Sequence, residues 1–273
     1  MTVSFHPDDA PTFCVIAPTA YVPHYSNQSR THLVLAHIVD TDPTYAKLYK
    51  EFSDRGDRII MDNGAFELGE SYAPDKLIDL AKACGGHAIV LPDYPSKHSR
   101  MTIEAAEQWI PMIRKAGFST MFVPQSEVGE TEDWVDGYMW AADNPDIDII
   151  GMSILAIPNA LPHVPAAYAR VVMSELLLDR GVFAEKYHHY LGLNAGPKLE
   201  LPALIKAGTL NSCDSSGPVW SALLGHEYSD NTDSFLAVSK VKAHVDFNYP
   251  WVKDKVTLER IQRNLNMTFG LFE

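Results

Sequence analysis

Short continuous apolar runs recur along this chain, each followed by a longer stretch with helical spacing. The runs at residues 13–18, 31–39, 58–62, 87–93, 120–125, 148–153, 187–193 and 209–214 lack strict alternation. Runs of that length, bounded by turn residues, predict strands buried on both faces. Between them, residues 43–53 set Tyr45, Leu48, Tyr49 and Phe52 on one helical face. Residues 74–84 predict a helix with Pro74 at its start and Gly85-Gly86 beyond its end. Residues 101–116 predict the clearest amphipathic helix, with Ile103, Ala106, Trp109, Ile110 and Ile113 inward and Gly117 closing it. Further helices are predicted at 132–142, 167–179, 201–206 and 218–224, the last with Pro218 in its first turn. Pro158, Pro162 and Pro165 predict an irregular link after the sixth strand. Two terminal helices are predicted at 234–244 and 254–265.

Strand and helix alternate in units of about 25–40 residues, with no hairpin turns between strands. Eight such units predict a (β/α)8 TIM-like barrel over about residues 13–225, with a C-terminal helical extension over about 226–273. A doubly wound open sheet is the rival, but it more often stops at five or six strands. The first strands are not followed by a Gly-x-Gly-x-x-Gly or phosphate-loop motif, which removes the usual nucleotide sites. No Gly/Ser-rich linker divides residues 1–273, so one domain is expected.

Composition narrows the class. Hydrophobic residues make up 46% of the 273, enough for a sizeable core. A formal net charge of −13 argues against non-specific coating of nucleic acid, which rests on phosphate neutralisation. A local basic patch on an acidic body stays compatible with it. Cys14, Cys84 and Cys213 are isolated, which predicts a reducing compartment without a disulfide framework or cysteine-rich zinc site. With no signal-peptide pattern and no membrane-length apolar run, a cytoplasmic location is expected.

In a barrel of this kind chemistry gathers at the C-terminal strand ends. Those positions are Asp62 after the third strand, Asp93 after the fourth, Gln125 after the fifth, Gly151 to Ser153 at the sixth, Leu191-Gly192 at the seventh and Asp214 at the eighth. A single acid there more often caps a helix or shapes a turn. Three acids and an amide on one rim predict a site.

The series Asp62-Asn-Gly-Ala-Phe66, Leu91-Pro-Asp93, Val123-Pro-Gln125, Ile150-Gly-Met152, Tyr190-Leu-Gly192 and Cys213-Asp214 resembles the motif series of tRNA-guanine transglycosylases. These barrel enzymes exchange guanine for a 7-deazaguanine base through a covalent aspartyl intermediate. The resemblance spans residues 59–218, and its specificity lies in the series, since each motif is short. It implies Asp214 as nucleophile and Asp62 as general acid/base. It implies that Asp93 and Gln125 read the edges of the base, that backbone at Gly151 approaches its substituent, that Phe66 and Leu191 pack on its two faces, and that Gly192 is part of the same base-binding set.

The departures bear on the polymer. The tRNA enzymes carry a zinc site of three cysteines and a histidine after the nucleophile; here no cysteine follows Cys213, so no zinc subdomain and no metal or cofactor is expected. Residues 218–225 also lack the expected arginines. Both departures favour the compact phage-encoded relatives that place preQ0- or preQ1-type bases in DNA. A phage-encoded protein of that type would act in the host cytoplasm. DNA is therefore the expected partner, with tRNA or a nucleoside as the alternative. Lys97 and Arg100 near the predicted mouth, and Lys240 and Lys242 in the tail, are the candidate nucleic-acid contacts; solvated mixed-charge helices are their ordinary explanation. Other readings are a carboxylate-dependent N-glycoside hydrolase and a non-catalytic reader of modified bases. Dimerisation through a zinc region is not expected, and a differently built homodimer is left open.

Two neighbouring residues complete the reading. Of His188-His189, one points into the barrel and one toward the helices; one can hydrogen-bond a strand-end acid, with a satisfied core histidine as the ordinary alternative. A metal site from His188, Asp62 and Asp93 ranks low, because no His-x-His accompanies the first strand. Cys213 is expected to point away from Asp214 and pack in the wall.

Overall fold

The computed structural model describes residues 3–194, 196–231, 234–235 and 244–273. Among these, eight strands form one parallel sheet: β1 (Thr12–Val15), β2 (Thr31–Val34), β3 (Arg58–Met61), β4 (Ala88–Val90), β5 (Ser119–Phe122), β6 (Ile149–Gly151), β7 (Tyr187–Tyr190) and β8 (Ser212–Ser215). Their order, β1-β8-β7-β6-β5-β4-β3-β2, wraps into a nearly closed (β/α)8 barrel. At the remaining seam the Val15 N–H donates to Ser29 Oγ at 3.2 Å, and the Ser29 hydroxyl donates to the Phe13 carbonyl at 2.7 Å. One side chain thus bridges β1 to the segment entering β2.

The strands are short and nearly all their residues are buried, as both faces of the sheet are covered. Ile59, Ile60 and Met61 of β3, Ile89 of β4 and Ile149 and Ile150 of β6 are fully buried. Helices follow their sequence signals. Asp42 caps the helix Pro43–Asp54 by accepting from the Thr44 and Tyr45 N–H groups, and Pro43 occupies its first turn. The helix Ser99–Lys115 buries Thr102, Ala106, Ile110 and Ile113 against the barrel. The helix Lys255–Phe269 begins at an Asp254 cap and packs Ile261 and Leu265 inward.

Three local expectations are corrected. The strand expected across 31–39 stops at Val34, and Ala36–Thr41 is helical with Ala36, Ile38 and Val39 buried. A short buried helix and a strand present the same apolar run, so periodicity alone could not divide it. The irregular link after the sixth strand contains the helix Ala156–Ala160. Pro158 is its third residue, where the N–H has no intrahelical partner to lose. The helix expected at 201–206 begins at Pro197, with Pro202 inside it. Most of the predicted helix 234–244 lies outside the described residues. No described helix is long and apolar enough to cross a membrane.

Candidate active site

Asp62 follows β3 directly, and its N–H still donates to the Val34 carbonyl at 2.9 Å, so the ladder fixes its backbone. The chain then turns sharply at Gly64, whose φ of 81° favours glycine. The Gly64 N–H donates to Asp62 Oδ2 at 2.9 Å. The half-buried carboxyl of Asp62 is pushed up to about 6, first by burial and then by the nearby charges of Asp93 and Asp214; the Gly64 N–H opposes the shift.

Asp93 lies three residues past β4, held between two amides. Asn63 Nδ2 donates to its Oδ1 at 2.8 Å and Gln125 Nε2 to its Oδ2 at 2.6 Å. Asn63 also donates to the Leu91 carbonyl and accepts from the Ala65 N–H, which locks its rotamer. Burial pushes the Asp93 carboxyl up, while the two amides pull it down. Gln125 is buried with one amide hydrogen committed to Asp93, leaving its second N–H and its carbonyl oxygen for another partner. Side by side these groups present an acceptor and a donor on one rim.

Asp214 sits within β8, whose alternation turns Ser212 and Asp214 to the barrel interior and Cys213 to the wall. The β7–β8 register sets His189 beside Ser212. The His189 ring bonds Ser212 Oγ through Nδ1 at 2.7 Å and Asp214 Oδ1 through Nε2 at 3.2 Å. The Gly192 N–H donates to the same oxygen at 2.9 Å. Gly192 has φ 74°, the left-handed conformation that aims this N–H, and an added Cβ would press on Ile154. Among the described residues both side-chain contacts of this carboxylate fall on Oδ1, so Oδ2 carries the lone pairs available to a substrate. As expected of the histidine pair, His189 points inward to a strand-end acid. His188 points outward, bonds Tyr138 OH at 2.9 Å and is lowered to about 4 by burial.

Gly151 ends β6 level with His189. A Cβ there would meet Met121 Cε at 2.7 Å and Val123 Cγ2 at 2.8 Å, so a larger residue would have to displace both side chains. Leu191, half-buried, closes in from the next strand, its Cδ1 at 3.3 Å from the same point. Phe66 lies on the short helix Ala65–Leu68 and is 75% exposed. Lys97 is exposed on the loop after Asp93, whereas Arg100 is paired with Glu104 at 2.6 Å. Lys240 and Lys242 lie outside the described residues. Elsewhere in the tail, Lys255 and Arg263 are paired with Glu259 and Glu227.

Three participants escaped the sequence reading: Asn63, Glu67 and His37. Glu67 follows Phe66, and its carboxyl is raised first by burial and then by Asp62 and Asp214. Its Oε2 lies 3.8 Å from His37 Nδ1, and burial lowers that imidazole. Asn63 and Glu67 adjoin motif positions, so the signal for them was adjacency to Asp62. His37 had none, since it sat in an apolar run read as strand. Among the described residues no group of three His, Cys, Asp or Glu side chains is placed to hold a metal ion. The chain matches no protein-family model and no curated protein.

Proposed function

We propose that the chain is a pentosyltransferase that replaces guanine in DNA by a 7-deazaguanine base through a glycosyl ester on Asp214. The observation that carries this reading is the single-sided restraint of Asp214: among the described residues one oxygen takes both the Gly192 N–H and His189, and the other is left for attack. The Oδ2 lone pair forms a bond to C1′ as the C1′–N9 bond breaks and its electron pair leaves with guanine. Asp62, whose carboxyl is raised to about 6 so that the protonated form is within reach near neutrality, gives that proton to the departing base. The incoming 7-deazaguanine returns its N9 proton to Asp62, and N9 attacks C1′, releasing the Asp214 carboxylate. Two displacements retain the sugar configuration.

Base selection falls to the Asp93–Gln125 rim. The carboxylate accepts from the N1 and exocyclic amino groups of guanine, and the free Gln125 N–H donates to O6. Both bases share this edge, so one rim serves leaving and incoming partners. Phe66, exposed beside the site, offers a ring on which an extruded base can stack.

A second reading keeps the chemistry and changes the substrate to a nucleoside. It is favoured by the pairing of Arg100 with Glu104, which removes a cation from the candidate phosphate contacts. Incubation with a labelled 7-deazaguanine base and duplex DNA, single-stranded DNA, tRNA or guanosine separates them. Label in DNA is the expected result; label in tRNA or guanosine alone overturns the DNA assignment. Trapped on a denaturing gel, the protein–sugar adduct should vanish in Asp214→Asn. An adduct that survives this substitution overturns the nucleophile.

A further inference from the structure

Arg170 lies in the helix Ala166–Asp179 and its side chain is 1% exposed. A guanidinium has five N–H donors, and each has an acceptor here. Nε donates to Glu200 Oε1 and Nη2 to Glu200 Oε2, both at 2.6 Å. Nη1 donates to the Met152 carbonyl at 3.2 Å and the Leu191 carbonyl at 2.9 Å; the other Nη2 hydrogen goes to the Gly192 carbonyl at 2.8 Å. Glu200, itself fully buried, stands in the first turn of the helix Pro197–Lys206, where the helix dipole favours a carboxylate.

Two charges taken out of water are a poor way to gain stability, since an apolar pair of similar volume often serves as well or better. The three carbonyls suggest what this pair does instead. Leu191 and Gly192 leave β7, and Met152 leaves β6 just past Gly151. Backbone bonds already join the two strand ends, Met152 N–H to the His189 carbonyl and Leu191 N–H to the Met152 carbonyl. The peptides on either side of the Gly192 α-carbon are thereby held at both ends: its carbonyl by Arg170, its N–H on Asp214 Oδ1.

We propose that Arg170, braced by Glu200, is a positioning residue for Asp214. It acts through the Gly192 peptide and couples the backbone wall at Met152 and Leu191 to the nucleophile. This assignment rests on the reading of Asp214 as nucleophile. The guanidinium touches neither substrate nor the attacking oxygen; it fixes the left-handed turn that aims the Gly192 N–H. A loosened turn leaves Oδ1 to His189 alone and lets the carboxylate rotate off the line of attack, a misplacement to which in-line displacement is sensitive.

The test compares the full-length protein with the double variant Arg170→Met/Glu200→Leu, which keeps the volume apolar, and with Arg170→Lys, which keeps the charge but cannot reach all five acceptors. Amide hydrogen exchange at Gly192, the melting temperature, and kcat and KM for the incoming base are measured on each. In a variant that melts like the parent, Gly192 exchange is expected to rise at least about ten-fold. Its kcat should fall about 10–100-fold with KM for the base nearly unchanged. Unchanged Gly192 exchange and kcat in either folded variant overturn the proposal, as does a rise in KM that accounts for the whole loss. Should the double variant fail to fold, Arg170→Lys gives the same two readouts. If the parent exchanges no base at all, the functional reading fails by itself, and Gly192 exchange still decides whether the clamp exists.

Discussion

Two aspartates bracket the four residues of β3, and their environments are opposite. Asp57 precedes the strand at the N-terminal end of the barrel; Asp62 follows it at the C-terminal end. Asp57 is buried and Asp62 half-buried, yet only Asp57 is compensated. Its Oδ2 takes His32 Nε2 at 3.0 Å and Arg55 Nε at 2.8 Å, its Oδ1 takes Arg30 at 3.1 Å, and the Arg55 Nη2 adds a further contact. Burial alone would raise the Asp57 carboxyl; the bonds from His32, Arg55 and Arg30 overcome it and hold the group well below the usual carboxylate range. Asp62 has the Gly64 N–H on one side and two other acids nearby, so burial wins and the carboxyl is raised.

The difference separates an end whose charges are compensated from an end whose acids are not. A concavity of about 630 Å3 at the N-terminal end is lined by Arg30, Arg55, Arg58, Asp9 and Asp57. Its charges are spent on each other: Arg58 on Asp9, Arg30 and Arg55 on Asp57. The mouth gathers carboxyls with raised values and few cations, an arrangement that destabilises the fold and suits proton transfer. Barrels divide their two ends in this way, with stability at one and catalysis at the other.

The contrast can be broken most sharply at Asp62. Asp62→Asn should lower turnover by about 10²–10⁴-fold while equilibrium binding of the base persists, since the amide keeps the shape but not the proton. Turnover within two-fold of the parent (about 0.4 kcal/mol) would remove Asp62 from the chemistry. At the other end, Asp57→Asn should leave kcat of the folded protein unchanged and lower its urea-unfolding free energy by about 2–3 kcal/mol. That is below the value for a fully buried pair, because Arg30 is largely exposed. A variant as stable as the parent would show that the Asp57 cluster is ornamental.

The smallest effect is the pH dependence, and the two aspartates carry opposite signs. Asp57 titrates lower in the folded chain, so its contribution is present above the unfolded carboxyl value and is lost as pH falls through the folded value. Asp62 titrates higher when folded. The native state therefore binds more protons between the unfolded carboxyl value and about 6, and stability falls as pH rises through that window. Asp62→Asn should accordingly be more stabilising at pH 8 than at pH 4, by about 1–2 kcal/mol. Equal effects at both pH values would mean that Asp62 is not perturbed.

Much of this was legible before the fold was seen. The apolar runs located all eight strands, and Pro74 with Gly85 set a helix to the residue, because backbone chemistry at a proline or glycine is local. Strand ends were read less well. The sixth residue of a run can continue a strand or start a buried helix, as it does after Val34. Asp62, Asp93, Gln125 and Asp214 were named from sequence because each ends an apolar run, where an acid or amide has no packing role. Asn63 was quoted within a motif, but its part as the brace of Asp93 was not visible, since that bond joins residues 30 apart.

Sequence alone thus determined the parallel eight-strand barrel and which polar groups stand at its strand ends, because both follow from short-range pattern. Tertiary structure alone decided how those groups divide their work. Arg170 reads as an ordinary charge on a helix face until folding buries it against Glu200 and three carbonyls from two other segments. Asp57 and Asp62 are the same residue five positions apart. Only the field of neighbours brought from distant parts of the chain sends one carboxyl down and the other up.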